Sequence, residues 1–367
     1  MTLTPKKVQP SRSSTRQQKG AALIIVLLLV ATISIVAIGL TERTVITSTR
    51  IANEQARSTL LWRMTGAEIL AGELLGNAIS ARPGIMSNDD PWAVQPFDLA
   101  ALAVTEFESG EARFADATRC FNLNSLLITP PSQETGVQSA PSSDDPLTLE
   151  PGEAEILEFV ALLDLLGIAN NDARQLAIII RDWIDGDQET GIGGAEDSAY
   201  LRLPVPYRTG GTLLSDKSEL RTMIGVDQVL MRTIAPFVCA LPVTDSVPVN
   251  INMLRPQDAP ILVSVFRGEL SLSDAELIIE RRPLGGYGSV EEVTALPFVA
   301  GLAVPPSIWA NRIATSSAYL RGQIRLEFGP DGLRSRSSGN TLLQSTVLFQ
   351  VNGDDLSVIS RRFGSSS

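Results

Sequence analysis

Twenty consecutive residues, Ala21 to Leu40 (AALIIVLLLVATISIVAIGL), carry no charge, and only Thr32 and Ser34 among them are polar. A helix of that length spans about 30 Å, the hydrocarbon thickness of one bilayer. Lys6, Lys7, Arg12, Arg16 and Lys19 precede the run with no acid between them. The positive-inside rule therefore keeps this leader in the cytoplasm and sends everything after Glu42 across the membrane. A cleaved secretory signal has a shorter apolar core, about 7–15 residues, ending at a small-x-small site. No such site closely follows Leu40, so the sequence predicts a retained single-pass anchor.

Composition narrows the chemistry of what the anchor carries. The chain has 367 residues, more than one average domain, and is 44% apolar and 19% charged, enough to bury a core. It contains no histidine, which excludes Ser-His and Cys-His catalysis and every His-bearing zinc site. With two cysteines a thiolate-only zinc site is excluded too. Thirty basic residues against 41 acidic ones give a net charge of −11, which argues against coating nucleic acid by charge.

Beyond the anchor the pattern stays helical. From Thr41 to about Ser80 there is no proline, and apolar residues recur at Ile51, Leu60, Leu61, Met64, Ala67, Ile69, Leu70 and Leu74 before Arg82-Pro83-Gly84 closes the run. Short β-like runs follow, Ala103 to Ser109 and Ala112 to Phe121. Residues 129–152 are rich in Pro, Ser and acid, as in a surface connection. The C-terminal part returns to β pattern at Ser316–Phe328, Leu342–Val351 and Leu356–Arg362, where Arg321, Arg325, Arg361 and Arg362 read as solvent-facing strand residues. Between the β regions lies a helical block. Helices are expected at Glu153–Gly167 and Asp172–Ile184, and capping boxes at Asp216/Glu219, Ser273/Glu276 and Ser289/Glu292. The expected fold class is α+β: a long N-terminal helix and an antiparallel sheet, interrupted by an all-helical inserted domain. The boundaries read as a leader 1–20, membrane segment 21–40, αβ host 41–150, insert 151–310 and returning strands 311–367.

The basic segment ending in Gly20, with the apolar run starting at Ala21, resembles a type IV prepilin leader cut after the glycine. Cleavage would remove five positive charges and leave a mature chain near −16. Such segments normally carry a glutamate at the fifth mature position, here Ile25; a subunit without it suits a place with nothing ahead of it in the fibre. The chain further resembles the K-type minor pseudopilins of type II secretion systems. The match runs through Asn122-Leu123-Asn124, Arg181-Asp182-Trp183-Ile184-Asp185-Gly186-Asp187, Gly194-Ala195-Glu196-Asp197 with Tyr200, Ser218-Glu219-Leu220-Arg221 and Pro248-Val249-Asn250-Ile251-Asn252. It departs at Ala21, where many pilins have Phe or Met, and at Met253-Leu254, where the family often has Thr-Ala. The resemblance implies a non-enzymatic pilin-like subunit, processed and methylated as a prepilin, in the bacterial inner membrane with its bulk in the periplasm. It implies a place at the pseudopilus tip with I-type and J-type minor pseudopilins, and contacts with other pseudopilins, the prepilin peptidase and exported proteins.

Residues 185–197 (DGDQETGIGGAED) carry Asp185, Asp187, Glu189, Glu196 and Asp197 in a glycine-rich loop, a pattern that can wrap Ca²⁺ in oxygen ligands. With Asp185 as position 1, Asp187, Glu189 and Glu196 fall at 3, 5 and 12 of an EF-hand frame, while Thr190 replaces the glycine at 6. The resemblance also implies calcium here, with Asp185, Asp187, Glu196 and Asp197 matching its acidic motif. A solvated acidic turn and another ion are the competing readings. Cys120 and Cys239 can pair in an oxidising periplasm or stay as buried thiols. Pro283-Leu284-Gly285-Gly286-Tyr287-Gly288 between two helices resembles a helix-hairpin-helix, which would suit a DNA-binding competence pseudopilin. With only Arg281 and Arg282 nearby, a compact structural hairpin fits better, and no nucleic-acid partner is expected. A type IV pilus tip subunit and a membrane-anchored periplasmic enzyme using the acidic loop are the remaining alternatives.

Overall fold

The computed structural model describes residues 15–101, 109–127, 152–303, 305–328, 341–353 and 355–364. The leader before Thr15, the Pro- and Ser-rich connection at 129–151 and most of the β-like run from Ala103 lie outside them. Helix α1 runs from Thr15 to Ser80, and contacts divide the chain into a unit ending at Arg63 and a second beginning at Met64.

In the first unit the apolar side chains from Leu23 to Leu40 are exposed along the helix, which is long and apolar enough to cross a membrane. Its two polar side chains are satisfied internally. Thr32 Oγ1 donates to the Leu29 carbonyl at 2.9 Å and Ser34 Oγ to that of Val30 at 2.8 Å. A spanning helix needs this closure, because hydrocarbon offers no partner for a free hydroxyl.

In the second unit the rest of α1 buries Met64, Ala67, Ala71, Leu75 and Ile79, one stripe at helical spacing. The stripe faces a five-stranded antiparallel sheet in the order β1 (Phe97–Asp98), β2 (Ser109–Asp116), β7 (Tyr319–Phe328), β8 (Thr341–Asn352) and β9 (Asp355–Phe363). The short helix α2 (Pro91–Val94) precedes β1. A Cβ on Gly72 would stand 3.4 Å from the Phe349 ring, at contact distance, so helix and sheet pack directly against each other here. Glu68, buried on α1, accepts from Ser345 Oγ at 2.7 Å and is paired with Arg361 of β9. Arg361 is solvent-exposed, as its strand position suggested, and its guanidinium also neutralises a buried carboxylate.

The sheet is interrupted between Asp116 and Tyr319, neighbours in space across β2 and β7 but far apart in sequence. The interruption thus begins about 35 residues before the boundary that composition marks, because the Pro-rich stretch falls inside the insert and not at its edge. The second β-like run shortens to the strand ending at Asp116, after which the chain turns away.

The insert is built as two lobes over one core. The first opens on β3 (Phe121–Asn122) and a 3-10 turn, Leu123–Leu126. It continues through α3 (Glu153–Leu165), α4 (Asn170–Ile184), α5 (Asp197–Tyr200) and α6 (Gln228–Ile234), and closes on β4 (Val238–Cys239), which pairs with β3 in parallel. The second opens on β5 (Val249–Asn250) and carries α7 (Ala259–Val265), α8 (Leu272–Glu280) and α9 (Val290–Thr294). It closes on β6 (Ile313–Ala314), parallel to β5. Phe159, Trp183, Phe266 and Trp309 fill the shared core. Trp92 is also buried, whereas Trp62 on α1 is 74% exposed. Across the lobes, Glu158 of α3 accepts from Arg312 at 2.9 and 2.7 Å, both side chains nearly buried.

The two Asn-x-Asn motifs hold these lobe mouths. Asn124 Nδ2 donates to the carbonyls of Leu214 and Leu241, and its Oδ1 accepts from Leu214 N. Asn252 repeats the device on Tyr287, donating to its carbonyl and accepting from its amide. The predicted helices α3 and α4 fall within a few residues of expectation, and the Asp216/Glu219 box forms with both halves present. The other two boxes do not form as spaced. Ser271, not Ser273, caps α8, and Glu292 accepts from Gly288 N while Ser289 leaves its helix uncapped by its side chain.

Candidate metal centre

The acidic loop hangs between the end of α4 and the start of α5. The chain leaves α4 at its cap residue Asp185 and returns at Glu196, the residue before α5. This folds two acidic ends of one loop back on each other and onto Asp182, one turn earlier on α4. Ligand oxygens of Asp182, Asp185 and Glu196 lie within 4.8 Å of one another. Glycine makes the approach feasible: a Cβ on Gly194 would stand 1.9 Å from Asp182 Oδ2, and one on Gly191 would clash with Ile178 at 2.6 Å. Gly191 N donates to Asp182 Oδ2 at 3.1 Å and fixes that carboxylate from one side.

Four oxygens remain buried without a hydrogen-bond partner: Asp182 Oδ1, Asp185 Oδ1 and both Oε atoms of Glu196. Asp182 is 0% and Glu196 2% exposed. An unpartnered buried polar group costs about 1–3 kcal/mol, and more when charged. Electrostatics carry the same signature. Burial, then the charges of Asp187 and Asp182, push the Asp185 carboxyl up to about 6. Burial, then Asp185 and Asp182, push Glu196 up to about 7. Burial also raises Asp182 against the pull of the Gly191 amide and Arg181. The donor set is oxygen only, hard and anionic, which fits a calcium-type cation and not zinc.

Of the four residues expected at the site, Asp185 and Glu196 meet there. Asp187 is exposed, its Oδ1 accepting from Glu189 N at 2.8 Å. Asp197 turns to the opposite strand of the loop, accepting from Thr209 N at 2.9 Å and Thr209 Oγ1 at 3.0 Å, with Arg208 at 3.5 Å. Asp182 joins the cluster although the loop frame, counted from Asp185, leaves it out. The signal that finds it is the i,i+3 spacing of Asp182 and Asp185, one helical turn.

Cys120 and Cys239 form a disulfide beside the β3–β4 pairing, with Cα atoms 5.7 Å apart. Gly20 and Ala21 lie inside α1. The glycine turn at 283–288 offers no free phosphate cradle. Gly285 N donates to Asp89 Oδ2, Tyr287 N to Asn252 Oδ1 and Gly288 N to Glu292 Oε2, so the chain's own acceptors hold those amides.

A long apolar N-terminal helix, an antiparallel sheet packed on its second half, and a helical insert between two neighbouring strands define a pilin-like subunit with an inserted domain. Two family models described as type II secretion system (T2SS), protein K match residues 119–243 and 249–310, one for each lobe. The type II secretion system protein K of Pectobacterium carotovorum subsp. carotovorum is 33% identical, over 95% of this chain and 97% of that protein. That of Klebsiella pneumoniae is 32% identical over the same shares. A chain in the crystal structure of the GspK-GspI-GspJ complex from enterotoxigenic Escherichia coli aligns with a TM-score of 0.64 and 25% identity, covering 86% of this chain and all of that one. The chain belongs to the type II secretion system protein K family, a minor pseudopilin component of that system.

Proposed function

We propose that the chain is the tip subunit of a short periplasmic pseudopilus. There it joins I-type and J-type minor pseudopilins, helps start fibre assembly and so supports export of folded proteins through the outer membrane. Its work is assembly and not catalysis. What chiefly supports the reading is the likeness, over the whole of the solved chain, to a subunit of a GspK-GspI-GspJ complex. The absence of an acid at Ile25 agrees with it, since nothing need sit ahead of a terminal subunit. In this reading prepilin peptidase cuts after Gly20, the segment from Ala21 to Leu40 stays in the inner membrane, and the bulk lies in the periplasm.

Calcium belongs to the same proposal, held by Asp182, Asp185 and Glu196. The ion supplies the positive charge that three buried carboxylates lack, and so ties the end of α4 to the start of α5. The test is co-purification of the full chain in detergent with its I-type and J-type partners, sized by light scattering in calcium and in EDTA. A stoichiometric heterocomplex is expected. A monomer indifferent to both partners would sink the tip reading, and a complex indifferent to EDTA would detach calcium from it.

A further inference from the structure

The open face of the sheet carries a charge pattern that single strand sequences conceal. Register lays Arg113, Gln323, Thr346 and Arg362 in one row across β2, β7, β8 and β9, and Ala115, Arg321, Leu348 and Ser360 in the next. Arginines from three strands therefore share one face, while Arg361 lies on the other with Glu68.

Where this face meets the insert, a cleft of about 390 Å³ opens. Five cationic side chains line it, Arg119, Lys217, Arg255, Arg321 and Arg362, against the carboxylates of Asp116, Asp216 and Asp258. The excess of cations is notable in a chain of net charge −11. The carboxylates are already engaged. Asp258 pairs with Arg119 at 3.4 Å and Arg255 at 3.2 Å, Asp216 accepts from Arg362 at 2.6 Å, and Asp116 accepts from Thr118 Oγ1 at 2.8 Å. Two cations are left over. Lys217 Nζ donates to the Ala235 carbonyl at 2.6 Å, and among the described residues neither it nor the exposed Arg321 makes an ion pair. Arg119 Nε is buried without a hydrogen-bond partner. Burial, then the charge of Arg321, holds the Lys217 amine below its ordinary value, and burial, then Arg255, does the same to Arg119. Cations that depress one another around a cleft are relieved by an incoming anion.

We propose that this cleft binds a carboxylate-bearing peptide segment of a partner protein, with Arg321 and Lys217 taking the incoming carboxylate. A carboxylate is favoured over phosphate on two grounds. The cleft already pairs guanidinium with carboxylate at Asp216 and Asp258, through single N–H to oxygen contacts that leave other guanidinium donors over. Its lining residues come from separate segments, include the apolar Val238, Leu241 and Leu348, and contain no glycine of the kind that phosphate-binding turns use.

The test uses the full chain in uncharged detergent and a rhodamine-labelled decapeptide of alternating Glu and Ala, followed by fluorescence anisotropy. Saturable binding that weakens with added salt is expected. Arg321→Glu should weaken it about tenfold or more and Arg321→Gln about threefold, with the melting temperature of each variant unchanged. Arg281→Glu, an equal charge reversal on the exposed end of α8, should leave binding intact. Should Arg321→Glu fail to fold, the neutral glutamine variant carries the comparison. Equal binding of a Gln-Ala decapeptide, equal loss in Arg281→Glu, or no saturation at low salt would each overturn the proposal. So would Arg321-dependent displacement of the peptide by inorganic phosphate or by phosphatidylglycerol vesicles at lower concentration than by free glutamate peptide, which would reassign the cleft to phosphate-bearing ligands.

Discussion

The two lobes of the insert open alike and are fastened differently. Each begins on Asn-x-Asn and each closes on a parallel pairing of only two residues, too short to hold a mouth shut by itself. The first lobe adds a disulfide at the pairing, Cys120–Cys239, and folds three carboxylates together at the far end of α4. The second has neither. It relies on Asn252 clasping Tyr287, on a glycine turn whose amides are held by Asp89 and Glu292, and on Arg282 donating to the Leu254 carbonyl at 2.9 Å. The same topological problem is thus met by a covalent link and a carboxylate cluster in one lobe and by hydrogen bonds alone, neutral and charged, in the other. The difference has a thermodynamic consequence: the first lobe gathers four unpartnered buried carboxylate oxygens into one cluster, whereas in the second the unpartnered buried atoms among the described residues are the separate Arg267 Nε and Arg312 Nη1.

The largest effect that would break this contrast is therefore removal of the proposed cation. A ligand that binds only the folded state at about a thousandfold above its Kd adds about 4 kcal/mol. EDTA, or Glu196→Ala in calcium, should lower the melting temperature and strip hydrogen-exchange protection from α4 and α5 while amides of α7 and α8 keep theirs. Asp187→Ala, altering an exposed neighbour, should do much less. Protection that falls equally in both lobes, or not at all, would end the claim that the first lobe alone depends on an ion.

Next in size is the disulfide. It closes a separation of 119 residues, and its loss through Cys120→Ser with Cys239→Ser should cost about 2–4 kcal/mol. The loss should again be concentrated in the first lobe. Asn252→Ala is the matching cut in the second. It leaves the Tyr287 amide and carbonyl without their partner, worth about 1–3 kcal/mol for each buried group, and should loosen α8 and α9 before α4. Hydrogen exchange on the two variants distinguishes the lobes; identical protection maps would mean that the shared core, and not the individual clasps, sets local stability.

How far these features were legible differs by the range of the physics involved. The span from Ala21 to Leu40, helices α3 and α4 and the three C-terminal strands follow from apolar periodicity, a local property, and the structure places them where periodicity does. The width of the insert was hidden, because the chain leaves the sheet at Asp116 without a break in composition and the conspicuous Pro-rich segment comes later. At the metal centre Asp185 and Glu196 were readable as the two acidic ends of a glycine loop, while Asp182 was masked by counting from the loop's first residue. That Asp197 turns to Thr209 depends on a segment twelve residues away, which no spacing rule reaches. Arg361 and Arg362 show the limit most simply. Adjacent in sequence and alike in chemistry, they face opposite sides of β9, one bound to Glu68 and the other to Asp216.

That last pair gives the smallest of the expected effects and sharpens how the first lobe is joined to the sheet. Burial alone would raise the Asp216 carboxyl, but hydrogen bonds from Ser218 and Arg362, with the charge of Arg362, outweigh it and hold the group at about 2 instead of 3.8. A depressed folded value means stability that is fully present above the unfolded value and is lost as pH falls toward the folded one. Asp216→Asn keeps the capping shape on Ser218 while removing the charge. The gap in melting temperature between the parent and this variant should therefore be constant from neutral pH to about 4 and should close by about 2. Being partly exposed, the pair is screened, so added salt should narrow the same gap at neutral pH. A gap that persists below pH 2 would assign the contribution of Asp216 to its turn geometry, leaving Arg362 free to serve the cleft it borders.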